Sequence, residues 1–195
     1  MNQIAYENMA HQRPDRNREP GFIFYHGRRT AHIALKLADQ IEADVNRKIL
    51  YIGALFHDIG KGFEPHNEVG ALIVRDLLSG ICELEELDRI CKIVLEHNQR
   101  KKPNQYVFET RIVQDADLLD HVGPIGSWLA FYWSAIHEET IDDALRYFHS
   151  EENLRYQTRW RNALNFDISV NIFDQRLEFE RKFFAELGRV HKEGL

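Results

Sequence analysis

An adjacent histidine and aspartate, His57 and Asp58, directly follow a strongly apolar stretch, residues 49–56. Imidazole nitrogens and carboxylate oxygens are both good ligands for first-row transition metals. Gly60 and Lys61 follow the pair directly. A glycine at this point predicts a left-handed cap that ends a helix at the floor of a cleft. The pair is therefore predicted to be the centre of a metal site in that cleft.

Further histidines and a late aspartate lie at or near predicted helix ends on both sides of this pair. In chain order the candidate ligands are His26, His57, Asp58, His66, His97 and Asp117. A helical bundle can bring side chains from separate helices to one point in its core. A set this rich in nitrogen suits a first-row divalent ion such as Mn, Fe, Co, Ni or Zn. It does not suit a dedicated Ca or Mg cage, although Mg remains a candidate.

Apolar residues recur at helical spacing along most of the chain, and no useful length alternates as a strand does. After a short helix near the N-terminus, helices are predicted over residues 25–43, 46–59, 66–78, 84–96, 108–121, 128–136, 140–163 (as one or two helices) and 167–192. The expected fold is an all-α bundle of about seven to nine helices. A length of 195 residues suits a single domain over residues 1–195. Its core is predicted at about 22–130, with the helices of 131–195 packing on that core.

The composition limits the possible binding partners and the expected cellular location. A net charge of −6 and a pI of about 5.9 disfavour extended nucleic acid, which needs a positive surface. A small anionic substrate is still allowed, because a bound cation can invert the local field. No apolar run is long enough to predict a membrane span, and the polar N-terminus does not resemble a signal peptide. The cytoplasm is the expected location, and a homo-oligomer is left open.

An aromatic cluster lies beyond the candidate ligands, at residues 128–133. It contains Trp128, Phe131, Tyr132 and Trp133. These side chains are predicted to belong to the core. A wall on which a nucleobase stacks is the alternative.

Five short segments that hold the candidate ligands occur in a fixed order. They are His26-x-x-Arg29, Ala54-Leu55-Phe56-His57-Asp58-Ile59-Gly60-Lys61, His66 with Gly70-Ala71, His97 after Ile93-Val94, and Asp115-Ala116-Asp117-Leu118-Leu119-Asp120. This order, over about residues 22–130, resembles the HD-domain superfamily of metal-dependent phosphohydrolases. The resemblance implies an all-α, HD-like fold with a metal site in its core.

The resemblance also implies a ligand set. In that family the core ligands are a first histidine, the His-Asp pair and a late aspartate, which here are His26, His57, Asp58 and Asp117. Asp117 is preferred to Asp115 and Asp120 because the family's late aspartate follows a small residue and precedes an apolar pair. Asp120, one turn further along the same face, would then orient a ligand from behind.

Two middle histidines match a variable part of the family pattern. Members with two metals use histidines at the positions of His66 and His97, and Asp58 would then bridge the ions. Members with one metal keep histidines there to hold substrate phosphate. Both roles remain open for His66 and His97.

The activity implied by the resemblance is hydrolysis of a small phosphate ester, such as a nucleotide. A divalent ion lowers the pKa of bound water from about 15.7 toward 7 and polarises a phosphoryl oxygen. Lys61, one turn beyond the His-Asp pair, is placed to neutralise phosphate charge, and Arg29, one turn from His26, to bind phosphate bidentately. The predicted catalytic residues are Asp58, Lys61 and Arg29, and the predicted substrate contacts are Lys61, Arg29, His66 and His97. The basic loop Arg100–Lys102 would reach a polyphosphate from further out.

Two other functions are kept beside this one. A di-iron oxygenase of the HD type would use all six ligands and consume O₂. A catalytically silent, ligand-sensing module would keep the metal without turnover. The number and identity of the metal ions per chain separate these readings.

Overall fold

The computed structural model describes residues 1–13, 17–100 and 105–194 of the chain. In these residues ten helices are present, and the β-structure is limited to one isolated bridge between Ser79 and Cys82. The helices are α1 (Asn2–Met9), α2 (Phe22–Gln40), α3 (Arg47–Phe56), α4 (His66–Leu78), α5 (Leu84–Glu96), α6 (Phe108–Asp120), α7 (Pro124–Ile136), α8 (Ile141–Phe148), α9 (Glu151–Asn162) and α10 (Asp167–Glu193). The all-α prediction is confirmed, with one helix more than the upper end of the predicted range. None of the helices in the described ranges is both long and apolar enough to cross a lipid bilayer.

The chain divides into two compact units, Met1–Asp117 and Leu118–Leu195. In the first unit α3 packs against α2 and α5, and α4 packs against α5. Helix α3 takes this central place because it is apolar on nearly all sides, and seven of its ten residues are buried. The prediction of a single domain over residues 1–195 stays a prediction.

Helix α3 ends earlier than predicted, directly before the His57–Asp58 pair. The helix stops at Phe56, and residues 57–62 follow as tight turns. The predicted left-handed cap at Gly60 was wrong, since the left-handed glycine of this turn is Gly62, with φ of 99°. Gly60 is needed for a different reason: a Cβ there would lie 2.6 Å from the backbone nitrogen of Gly70 on α4. A close approach of two backbones, and not a cap, therefore accounts for this glycine.

In the second unit α10 packs against α7 and α8, and α8 also contacts α7 and α9. Its core contains Leu145, Phe148 and Phe184, and the two phenylalanine rings stack with centroids 4.1 Å apart. The aromatic cluster predicted for the core is largely outside it, because Trp128 and Trp133 are 51% and 43% exposed. Helix α7 is apolar except for one glycine and two serines, and only Ser127 and Leu129 of it are buried.

Candidate metal centre

Two histidines occupy equivalent positions at the ends of two helices. His57 follows α3 and His97 follows α5, and both keep right-handed helical backbone angles. The ring of His57 donates from Nδ1 to the carbonyl of Ala54 at 2.7 Å, and that of His97 to the carbonyl of Val94 at 2.6 Å. A carbonyl oxygen only accepts, so each bond assigns the proton of the neutral ring to Nδ1. The Nε2 lone pair of both rings is thereby directed at the site, which is the arrangement that metal-binding histidines need.

The first candidate metal group is formed by His26, His57 and Asp117. His26, on α2, places its Nε2 3.1 Å from His57 Nε2 and 3.2 Å from Asp117 Oδ1 on α6. A second carboxylate, that of Asp58, is also close: its Oδ2 lies 3.8 Å from His26 Nε2 and 3.7 Å from His57 Nε2. Behind His26, Thr30 Oγ1 lies 3.5 Å from the Nδ1 atom. Three separate helical elements thus meet at this point.

The atoms of this group fit a divalent metal ion. Two nitrogens bound to one metal at about 2.1 Å, with angles of about 90–109°, lie about 3.0–3.4 Å apart. The two Nε2 atoms are separated by a distance in that range. Asp58 Oδ1 is buried, and no donor among the described residues reaches it with hydrogen-bond geometry. A buried carboxylate oxygen without a partner is unfavourable, and a bound cation would satisfy it.

The second candidate group is formed by His57, Asp58 and His97. Asp58 Oδ1 lies 3.4 Å from His97 Nε2 and 3.8 Å from Nε2 of His66, the first residue of α4. Asp58 therefore faces one set of histidines with Oδ2 and the other set with Oδ1. This geometry is compatible with a carboxylate that bridges two ions, and bridging stays a prediction.

Burial favours the neutral rings of His66 and His97, and the surroundings favour the charged carboxylate of Asp58. Burial lowers the pKa of His97, and burial together with the nearby charges of Lys61 and His97 lowers the pKa of His66. Burial alone would raise the pKa of Asp58, but the imidazoles of His57 and His97 and the ammonium of Lys61 outweigh it, and the pKa lies well below its usual value. Neutral imidazole and ionised carboxylate are the forms that bind metals.

The predicted substrate residues lie at different distances from this centre. Lys61 Nζ is 3.1 Å from Asp58 Oδ2, and its side chain is 43% exposed, so the ammonium stands between the ligands and solvent. Arg29 Nη1 lies 4.0 Å from Glu19 Oε1. The roles assigned to Lys61 and Arg29 stay predictions.

The remaining aspartates of α6 have other surroundings. Asp115 is fully buried and belongs to neither candidate group of the described residues. Asp120 is also buried, and its charge acts on the guanidinium of Arg176. A role for Asp120 in orienting a ligand stays a prediction.

One contact to a candidate ligand was missed by reasoning from the sequence. Arg100 donates from Nη2 to Asp117 Oδ2 and, at 3.3 Å, to the carbonyl of Gln114. The sequence places Arg100 in a basic loop, where it was assigned to substrate polyphosphate. No spacing signal joins it to Asp117, since the two residues are 17 positions apart across a loop. Lys101 and Lys102 of that loop lie outside the described residues.

Comparison with known proteins agrees with the ordered ligand set. The family model of the HD domain matches residues 23–121 of the chain. Ribonuclease Y from Treponema pallidum is 34% identical over 107 residues, which are 52% of this chain and 19% of that protein. The match thus spans about a fifth of the relative's length.

Two solved structures share the fold over nearly their whole length. An HD-superfamily hydrolase from Bacillus thuringiensis has a TM-score of 0.68 and 21% identity, covering 99% of this chain and 100% of that one. YpgQ of Bacillus subtilis, in complex with ADP, has a TM-score of 0.67 and 20% identity, covering 96% and 95%. The family match extends over half of the chain, and it includes every candidate ligand from His26 to Asp117. The chain belongs to the HD-domain family.

Proposed function

We propose that the protein is a metal-dependent phosphohydrolase that acts on a small phosphate ester, with nucleotides as the first class to test. Membership in the HD-domain family supports a hydrolase. The observation that carries the proposal is a buried histidine–carboxylate set with one ammonium beside it. His26, His57 and Asp117 meet within one group, and Lys61 Nζ lies 3.1 Å from Asp58.

A divalent ion bound by this set would supply an activated water and a Lewis acid for the phosphoryl group. The chain's own residues prepare the site for that chemistry. The Nδ1 bonds of His57 and His97 fix both rings before any ligand arrives, so no ordering of these rings is needed on binding. Lys61 has three N–H donors and uses one toward Asp58, so it can also donate to a substrate oxygen.

The choice of a small phosphate rests on charge and on one neighbour. A net charge of −6 disfavours a nucleic-acid chain, whose binding needs an extended positive surface. YpgQ, which shares the fold, has been solved with ADP. Both facts favour nucleotides and related phosphate esters over RNA as substrates for the first assays.

Phosphate release from a panel of nucleotides and phosphate monoesters, with Mn²⁺, Co²⁺, Ni²⁺ or Mg²⁺ added, tests this proposal. We expect metal-dependent turnover that His57→Ala abolishes. His32→Ala is the matched control, because His32 lies on the outer face of α2 with its ring near Tyr51. A metal-loaded wild-type protein that releases no phosphate from any member of the panel would refute the proposal.

A di-iron oxygenase is the second candidate, and the position of Asp58 is the observation that favours it. His66 and His97 face Asp58 Oδ1, on the opposite side from the first group. An oxygenase requires two irons per chain and consumption of O₂ with an organic substrate. Anaerobic purification, iron counting and an oxygen electrode distinguish it from the hydrolase. Metal binding with no turnover in either assay would instead support a ligand-sensing module.

A further inference from the structure

We propose that Arg100 is a positioning residue of the metal centre, which holds Asp117 so that one carboxylate oxygen alone faces the ion. The inference rests on the metal centre of the proposed function. It does not depend on which substrate is hydrolysed. It assigns to Arg100 a different role from the substrate contact that its sequence context predicted.

The two oxygens of Asp117 have separate partners. Oδ1 lies 3.2 Å from His26 Nε2 and 3.7 Å from His57 Nε2, inside the first candidate group. Oδ2 accepts from Arg100 Nη2. A charge-assisted bond of this kind is among the stronger hydrogen bonds, so it fixes the rotation of the carboxylate about its own axis.

Arg100 is held to α6 at two points, and α6 is in turn bonded to the end of α5. Its Nη2 also donates to the carbonyl of Gln114, one turn before Asp117 on α6. Gln114 in turn donates from Nε2 to the carbonyl of Glu96, at the end of α5, at 3.0 Å. The Arg100 and Asp117 side chains are only 22% and 14% exposed, so solvent screens their interaction weakly. The guanidinium is therefore a fixed support for the carboxylate and not a mobile surface charge.

The consequence for a bound ion concerns coordination. An aspartate with one oxygen tied to an arginine offers the ion a single oxygen, and the position that the second oxygen would take is left for water or substrate. Catalytic metal sites need such an open position. When Arg100 is removed, Asp117 loses this support, which weakens the centre and allows both oxygens to reach the ion.

The chain supplies a matched control for this test. Arg89 on α5 pairs through Nη2 with Glu109 Oε1 on α6, so it also joins these two helices through an arginine–carboxylate contact. Glu109 is not a member of either candidate metal group. Arg89→Met therefore removes a comparable link between α5 and α6 and leaves every candidate ligand untouched.

Co²⁺ titration of the full chain, followed by the visible absorption of the bound ion and by thermal unfolding, gives the readouts. We expect Arg100→Met to weaken Co²⁺ binding by about 10–100-fold, the usual loss when a group supporting a ligand is removed. The absorption of the bound Co²⁺ should also change in band shape and intensity. Arg100→Lys should recover part of the affinity, because it keeps the charge but not the planar fork. Arg89→Met should lower the melting temperature and leave both the affinity and the spectrum unchanged.

Three outcomes would overturn the inference. Unchanged Co²⁺ affinity and spectrum in Arg100→Met would show that the arginine only joins the helices. Equal loss of affinity in Arg100→Met and Arg89→Met would show that helix packing is responsible. No Co²⁺ binding by the wild type would overturn this inference together with the metal centre. If Co²⁺ binds and responds to Arg100 as expected while no phosphate ester is hydrolysed, the inference stands and the proposed activity fails.

Discussion

Replacing Gly60 by alanine should damage the metal centre without altering any candidate ligand. Gly60 lies in the turn between Asp58 and the start of α4, where the two backbones almost touch. A Cβ at this position would be 2.6 Å from the nitrogen and 2.9 Å from the Cα of Gly70, and nearer still to the carbonyl oxygen of His66. Because all three neighbours are backbone atoms, no change of rotamer can relieve the contact.

The size of the effect follows from these distances. Ordinary van der Waals contact begins at 3.4 Å, so the turn and α4 must separate by about 0.8 Å at Gly70 N. Overpacking of this kind costs about 1–3 kcal/mol. For a chain of this length, that corresponds to a fall in melting temperature of about 2–12 °C. Metal–ligand distances tolerate only about 0.2 Å, so even part of this displacement, passed along the turn to Asp58, would distort the metal centre.

Thermal unfolding and Co²⁺ titration of Gly60→Ala measure both effects. Gly188→Ala is the matched control, since a Cβ there meets only Leu145 side-chain atoms at 3.6 Å. This control should be neutral or stabilising by up to about 1 kcal/mol, because glycine is unfavourable within a helix. If Gly60→Ala keeps the melting temperature and the Co²⁺ affinity of the wild type, the backbones of the turn and of α4 do not lie as close together as described.

Three further predictions address charge and metal count. Burial raises the pKa of Glu180 from 4.5 to about 7. Between these two pH values the folded chain keeps a proton on Glu180 that the unfolded chain releases. The free energy of unfolding should therefore fall by about 3 kcal/mol as the pH rises through this window. Glu180→Gln should abolish that slope in denaturant unfolding from pH 4 to 8, and an unchanged slope would assign it to other groups. Lys61→Met should lower kcat/KM for a phosphate ester by about 10–100-fold, which corresponds to the loss of one charged hydrogen bond. The metal affinity should be unchanged or higher, because a nearby positive charge is lost. Weaker metal binding by this variant would contradict a substrate role for Lys61. If both candidate groups hold an ion, His97→Ala should reduce the metal count from two to one per chain by elemental analysis, and an unchanged count would show that His97 holds no metal.

The helical fold could be predicted from the sequence because residues next to several helices mark where those helices begin and end. The predicted bounds of two helices, 66–78 and 84–96, agree with the observed α4 and α5. Pro65 precedes the first of these helices and Ser79-Gly80 follows it, and such residues mark helix ends through their own backbone preferences. Features set by packing were not predictable in this way. The exposure of Trp128 depends on how little of α7 its neighbours cover, and the need for glycine at position 60 depends on a helix ten residues further on.

The same distinction between local sequence and packing applies to the candidate metal site. The types and order of the candidate ligands could be predicted from the sequence, because metal chemistry favours histidine and carboxylate side chains. The supporting contacts were less accessible. The Nδ1 bonds of His57 and His97 follow from their position at helix ends, and that position was in the sequence. The bond from Arg100 to Asp117 arises only when the chain folds back and brings α6 beside the end of α5, and a basic loop gives no hint of such a partner.

Metal content per chain is the most direct test of the central claim, that His26, His57, Asp58 and Asp117 form a metal centre. Wild type, His57→Ala and His32→Ala should be reconstituted with Mn²⁺, dialysed and measured by elemental analysis, with circular dichroism as a check on folding. We expect at least one ion per chain in the wild type and in His32→Ala, and almost none in folded His57→Ala. Equal metal content in all three proteins would contradict this claim.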